Sequence, residues 1–478
     1  MPERFTQILQ RVYGYSDFRG CQENVIRHVA AGQHAMLIAP TGSGKSLCYQ
    51  IPALASETPA GLTVVLSPLI ALMKDQVDAL QARGIDATFV NSSLSPKQRQ
   101  HRYAGLARGD YRLLYVTPER FRKPEFLAAI NHRTIDLLAV DEAHCVSQWG
   151  HDFRPDYSRL ADIRQHLKNP TTLFVTATAT SQVRDDILAQ MQLDSQAVAV
   201  FHEGIDRPNL SLDVLKVWDE DEKIAEIVET VRHWGEPCSG IIYVTLIKTL
   251  ERLSEALREK GIAHVGYHGK LPPDQRRDIQ DAFLSGAVPT VIATNAFGMG
   301  IDKEDIRYVV HAETPNSIES YYQEVGRAGR DGRPSQCVWL YDSSDLMTQM
   351  QFINWRNPDA DFFSRTYHYL TEQNEQVRAF GLQWLNERLQ RVSRHDHRLE
   401  TTLALLDRHH VIAGHQPPEC YDVLGPLPAT LLDESRIEAK LKADQKRLYA
   451  LVEFAETDPA DRQHFLRSYF GLTSEPAN

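Results

Sequence analysis

From residue 35 onward, short apolar runs at 36–39, 63–66, 113–116, 137–140 and 173–175 alternate with amphipathic stretches of helical period. Strands of a parallel sheet are covered by helices on both faces and read as continuous apolar runs, so this alternation predicts βαβ units. The pattern restarts after an acidic stretch at 219–229, with runs at 240–244, 264–267, 288–293 and 307–310. Two consecutive α/β domains are expected, joined near 205–210. Beyond 343 the chain changes to longer amphipathic helices rich in histidine, including His395, His397, His409, His410 and His415. The stretch 398–412 reads as a helix with Leu399, Leu403 and Leu406 on one face, and the Pro/Gly-rich stretch 414–428 as a wing or a loop. Ile437, Leu441, Leu448, Val452 and Ala455 recur at helical spacing behind Ser435, whose Glu438 three residues on completes a capping-box pattern. The resulting division is 1–203, 204–344 and 345–478.

The length of 478 residues suits about three domains. With 42% apolar and 24% charged residues the composition is that of a globular protein, which excludes disordered and low-complexity classes. No apolar leader or membrane-length run is present, so a cytoplasmic location is expected. The six cysteines lie at least 27 positions apart, which offers no CxxC pair and predicts buried, reduced thiols. The formal charge of −11 argues mildly against a phosphate-rich partner. Local charge argues the other way: between 97 and 123, eight basic residues (Lys97, Arg99, Arg102, Arg108, Arg112, Arg120, Arg122, Lys123) face only Asp110 and Glu119, a local +6. Such a patch can track a nucleic-acid backbone, or simply form a solvated helix face.

Candidate chemistry begins at Ala39-Pro-Thr-Gly-Ser-Gly-Lys45-Ser46, between an apolar run and the helix-like stretch 47–54. Residues Thr41, Gly42, Ser43 and Gly44 can wrap a phosphate with backbone N–H groups, Lys45 can reach the β and γ phosphates, and the Ser46 hydroxyl can ligate Mg²⁺. The strict pattern has Gly where this chain has Ala39. Asp141-Glu-Ala-His144 follows the apolar run 137–140, where Asp141 suits the second metal contact and Glu142 suits the base that orients or deprotonates water. The second α/β block supplies Gln323-Glu-Val-Gly-Arg327-Ala-Gly-Arg330. Arginines spaced by three share a helical face and can reach a phosphate held by another domain, or form a surface salt-bridge pair.

In this order the motifs resemble the superfamily 2 helicases, and specifically the RecQ family of DNA helicases. The resemblance extends to Tyr13-Gly-Tyr-Ser-Asp-Phe-Arg19-Gly-Cys-Gln22, to the motifs at 66–76, 117–120, 176–179, 267–268 and 293–302, and to the aromatic-rich loop at 145–157. It implies two tandem RecA-like domains of parallel sheet, followed by a mostly helical C-terminal domain. It also implies that Tyr15 stacks on adenine while Arg19 and Gln22 hydrogen-bond it, with ATP and Mg²⁺ held between the domains. Lys45, Ser46, Asp141 and Glu142 would face Gln323, Arg327 and Arg330 across the cleft. His144, Gln148, Trp149, His151, Phe153 and Arg154 would contact DNA or couple it to hydrolysis. Trp149, Phe153 and Tyr157 offer faces on which single-stranded bases can stack. The implied activity is ATP-driven 3′-to-5′ translocation and unwinding in DNA repair or recombination, on single-stranded and tailed or forked duplex DNA. The alternatives are a DNA-stimulated ATPase that anneals strands or displaces proteins, and an RNA helicase.

Family members usually carry a four-cysteine zinc module after the second motor domain. Here 453–471 resembles its helical hairpin, but Asp461 stands where the first cysteine is expected, so no structural zinc is predicted. The insertion at about 378–428 reads as a winged-helix-like element, with Arg388, Arg391, Arg394 and Arg398 suited to duplex contact, or as a prop against the motor.

Overall fold

The computed structural model describes residues 2–58, 61–68, 70–147, 149, 157, 159–235, 237–298, 301, 303–389, 396–415 and 420–472. The first sheet comprises β1 (His34–Ile38), β2 (Gly61–Leu66), β3 (Ala87–Val90), β4 (Leu113–Val116), β5 (Thr134–Asp141), β6 (Thr171–Thr176) and β7 (Val198–His202), in the order β3-β4-β2-β5-β6-β1-β7. Every pairing is parallel, so all strands end at one edge of the sheet. That edge is where an open α/β sheet presents ligand-binding loops. The strand interiors are buried because helices such as Gln22–Ala30 and Leu47–Ala55 pack an apolar cluster including Val25, Ile51, Val65 and Leu137 against the sheet.

A second parallel sheet follows, with β8 (Leu210–Lys216), β9 (Ser239–Tyr243), β10 (His264–Tyr267), β11 (Thr290–Ala293), β12 (Ile306–His311) and β13 (Ser335–Tyr341) in the order β10-β11-β9-β12-β13-β8. The acidic stretch is the start of helix Glu220–Trp234, whose N-cap Asp219 accepts from the Glu222 N–H and whose first turn carries three carboxylates. Negative charge there complements the helix dipole, which accounts for the run structurally. Residues from Phe454 onward return to the compact unit that holds both sheets. Phe454 stacks on Trp339 at 6.4 Å, Arg462 donates to the Leu212 carbonyl at 2.7 Å, and Arg467 forms a two-pronged ion pair with Asp206.

The other compact unit contains Ser343–Glu453. Its core joins helices Ala360–Glu372, Asn374–Leu389 and Arg398–Arg408 through residues such as Phe362, Leu385, Leu403 and Leu406. An antiparallel hairpin of β14 (Ile412–His415) and β15 (Cys420–Val423) completes it. Several local readings are corrected. The helix expected over 398–412 stops at Arg408, because His410 adopts φ 55° and the chain turns into β14. Helix Glu434–Glu456 begins one residue before Ser435, and Asp433, not Ser435, accepts from the first free N–H groups. Arg398 is tied up rather than offered to a duplex, since the Nε–Nη2 edge of its guanidinium grips the Asp396 carboxylate. Arg391 and Arg394 lie outside the described residues. Two thiols, Cys21 and Cys238, are partly exposed rather than buried.

The basic stretch 97–123 also loses much of its free charge to the fold. Arg120 is buried, Arg102 donates to the Phe89 carbonyl with its guanidinium 3.9 Å from the Phe89 ring, and Arg108 pairs with Asp110.

Candidate active site

The phosphate-loop motif leaves β1 at the ligand-binding edge. Gly42 and Gly44 take φ 84° and 79°, values that only glycine adopts at low cost, and these turn the backbone back over the strand end. Lys45 Nζ donates to the carbonyls of Ala39 and Pro40 at 2.8 and 3.0 Å. Burial pushes its ammonium below the ordinary value, while the Glu142 and Asp141 carboxylates pull it back up. Helix Leu47–Ala55 starts directly behind Ser46.

Asp141 is the last residue of β5, one strand away from β1 across β6. Burial raises its carboxyl, Glu142 adds to the rise, and Lys45 opposes it. A divalent cation bound beside it would remove that cost. Glu142 sits at φ 49°, ψ 48°, a left-handed conformation strained for a side chain of its size. Its Oε2 is buried and makes no hydrogen bond among the described residues, with His144 Nδ1 3.4 Å away. A hydrated cation on a polyphosphate would satisfy this oxygen, so the residues present fit a bound nucleotide.

A path of polar contacts leads away from Glu142, its first link a 3.4 Å approach of His144 Nδ1 and the links beyond it hydrogen bonds. His144, buried, lies 3.4 Å from Glu142 Oε2 and 3.0 Å from Thr176 Oγ1. Thr176 Oγ1 bonds the backbone of Thr178, and Thr178 Oγ1 accepts from Gln323 Nε2 of the second sheet domain at 3.1 Å. The two arginines do not share a helix face as their spacing suggests. Helix Ile318–Val325 ends before them, and the glycines at 326, 329 and 332 carry the chain through successive turns, the last two at positive φ. Arg327 is buried and its guanidinium donates to the Gly298 carbonyl of its own domain. Arg330 instead lies across the cleft, where a Cβ added to Gly42 would sit 3.3 Å from its Cδ.

Tyr15 is 49% exposed, with the Arg19 guanidinium 5.8 Å from its ring centroid. Gln22 is buried, and its amide nitrogen donates to the Ser43 carbonyl at 2.8 Å, which fixes the segment to the phosphate loop. Of the aromatic-rich loop, Gln148, His151, Phe153 and Arg154 lie outside the described residues. Trp149 is partly buried, with its backbone N–H donating to Ser147 Oγ at 3.1 Å. Tyr157 is only 2% exposed, so its ring belongs to the core and offers no face to a base. Two contributors were given no role from the sequence: Thr178, inside the motif at 176–179, which receives Gln323, and Glu203, which follows β7 and lay in no motif.

Among the described residues, no cluster of three or more His, Cys, Asp or Glu is assembled that could hold a metal, and no helix is long and apolar enough to cross a membrane.

The DEAD/DEAH box helicase model matches residues 19–187, and the Helicase conserved C-terminal domain model matches 222–332. The chain is 44% identical over 355 residues to the ATP-dependent DNA helicase RecQ of Bacillus subtilis, covering 74% of this chain and 58% of that relative, so it spans little more than half the relative's length. It is 37% identical over 375 residues to the probable ATP-dependent DNA helicase RecS of the same organism, covering 78% of this chain and 74% of the relative. Among solved structures, S. cerevisiae Dbp5 bound to RNA and ADP BeF3 superposes with a TM-score of 0.59 at 18% identity, over 72% of this chain and 89% of that one, a likeness of fold alone. With both motor-domain models matched in the order of the two sheets, and relatives this similar over most of the chain, the protein belongs to the RecQ family of DEAD/DEAH-box helicases.

Proposed function

We propose that the chain is an ATP-dependent DNA helicase that couples hydrolysis to 3′-to-5′ movement on single-stranded DNA and to unwinding of tailed or forked duplexes, in repair or recombination. The observation that carries this reading is the approach of Arg330 to Gly42, which sets a cation of one domain against the phosphate loop of the other. Thr41, Gly42, Ser43, Gly44 and Lys45 would hold the phosphates, and Ser46 and Asp141 the Mg²⁺, which supplies charge neutralisation at the transferred phosphoryl group. Glu142 orients and deprotonates the attacking water. Arg330 stabilises charge that develops in the transition state, and Arg327, anchored on Gly298, holds the loop that carries it. Tyr15, Arg19 and Gln22 take the adenine.

The path from Glu142 through His144, Thr176 and Thr178 to Gln323 supports coupling, because opening or closing the cleft makes or breaks its last bond. Gln148, Trp149, His151, Phe153 and Arg154 follow this path in sequence and are assigned to the DNA strand. Domain limits of 1–203 and 204–344 organise this machine, and of the accessory region expected over 345–478 the part from Phe454 onward belongs with the sheet unit instead. The experiment is unwinding of a fluorescently labelled fork bearing a 3′ tail, with a 5′-tailed fork and an RNA duplex alongside. Separation of the 3′-tailed DNA fork supports the reading. ATP hydrolysis without strand separation favours the annealing or displacing ATPase instead.

A further inference from the structure

Glu203 follows β7, and its N–H donates to the Ile38 carbonyl at 3.1 Å, so β1 sets the position of this residue just as it sets the phosphate loop. Its Oε1 accepts from the Cys21 N–H at 3.2 Å and lies 3.6 Å from the Cys21 thiol. The thiol is pushed up to about 12, first by burial and then by Glu203, and therefore stays protonated as a donor. The same carboxylate fills the space beside Gly20, where a Cβ would meet Oε1 at 2.6 Å and where φ is 48°. Residues 20 and 21 are the link between Arg19 and Gln22. Gln22 pins one end of this segment to the Ser43 carbonyl, and Glu203 pins its middle.

On its other side Glu203 opens the segment 204–209, in which Ile205, Asp206, Arg207 and Asn209 are each held. The Tyr322 hydroxyl donates to the Ile205 carbonyl at 2.8 Å, and Asp206 is gripped by Arg467. Arg207 donates to the carbonyls of Gly326, Ala328 and Gly329, and Asn209 to those of Gly329 and Arg333. These carbonyls belong to the loop that carries Arg327 and Arg330. A short strap thus runs from the adenine-reading segment to the arginine loop, with Glu203 at the nucleotide end.

We propose that Glu203 is a positioning residue that fixes residues 19–22 in the geometry that reads adenine and ties them to this strap. The inference rests on the nucleotide reading above and deepens it. What matters in this account is the carboxylate oxygen as an acceptor for Cys21, so the isosteric amide should serve where a hydrocarbon cannot.

The test is equilibrium binding of fluorescent ATP and GTP analogues to the full chain and its variants, with nucleotide-free thermal melting as the control for folding. Glu203→Leu is expected to weaken ATP binding about tenfold, the scale of one lost hydrogen bond, and to narrow the preference for ATP over GTP, with kcat at saturating ATP changed less than about threefold. Glu203→Gln retains the acceptor and is expected to stay within about threefold of wild type in both affinity and preference. Gly20→Ala displaces the carboxylate and repeats the Leu phenotype, which keeps the test decisive should the Leu variant melt early. Wild-type affinity and preference in both Glu203→Leu and Gly20→Ala overturn the proposal, as does a Gln variant impaired as strongly as Leu. Failure of the wild-type chain to bind ATP at all would instead overturn the nucleotide reading itself.

Discussion

Gln323 and Thr178 meet across the two sheet domains, with Nε2 donating to Oγ1 at 3.1 Å. Thr178 is bonded through Thr176 to His144, which faces Glu142, so this one contact connects the second domain to the carboxylate proposed as the base. Gln323→Ala should therefore leave ATP binding within about twofold while lowering DNA-stimulated kcat about tenfold or more, the loss expected when transition-state positioning is removed. Steady-state hydrolysis compared with equilibrium nucleotide binding separates the two. A variant that weakens binding and hydrolysis equally would place Gln323 in ground-state recognition instead.

Strain at Glu142 predicts a trade of stability against activity. Its left-handed backbone costs roughly 1 kcal/mol, which asparagine tolerates better. Glu142→Asn should raise the melting temperature slightly while cutting hydrolysis more than about a hundredfold, because the oxygen poised for water is lost. A melt combined with single-turnover hydrolysis checks both, and a destabilised variant would contradict the assignment of strain.

Arg307 holds Asp331, the residue after Arg330, through two contacts of 2.8 Å. Partial burial pushes the Asp331 carboxyl up, but hydrogen bonds from Arg307 and from the Arg333 N–H outweigh it and hold the carboxyl below its ordinary value. A depressed carboxyl contributes stability above the unfolded-state value of about 4 and loses it as pH falls through the folded-state value. Asp331→Asn should cost about 1–2 kcal/mol at pH 7, and its melting deficit should shrink as the pH drops below about 4. A deficit that is constant with pH would show that the charge is not what holds the loop.

Arg462 caps a vulnerable edge. It is buried and donates to the Leu212 carbonyl of β8, the outermost strand of the second sheet. A charge placed on an edge strand blocks pairing with other chains. Arg462→Ala should cost about 1–3 kcal/mol and increase self-association on heating, read by melting and light scattering. An unchanged melt would show that the edge is protected otherwise.

Much of the motor was legible because its chemistry is local in sequence. β4 and β10 carry the bounds read from their apolar runs, and the phosphate loop and Asp141 lie at strand ends on the same edge of the sheet, separated by β6 rather than on neighbouring strands. Four strands were not read: β7 and β8 lie at sheet edges, where half-exposed positions break the apolar run, while β3 and β13 are buried but carry polar residues such as Thr88, Ser335 and Gln336 within them. The arginine spacing misled because the helix ends at Val325, ahead of both arginines, and Gly329 and Gly332 at positive φ keep the chain that carries them out of a helix. Aromatic spacing likewise could not separate Trp149, near the surface, from Tyr157, which the core absorbs. Glu203 carried no signal, since what makes it matter is the register of β7 against β1, a relation between residues far apart in the chain.

The central claim is that nucleotide held at Lys45 is hydrolysed in response to a DNA strand, and steady-state ATP hydrolysis with and without single-stranded DNA tests it most directly. The account predicts strong stimulation by DNA in the wild-type chain and loss of activity in Lys45→Ala. Equal rates with and without DNA, or a Lys45→Ala protein as active as wild type, would contradict it.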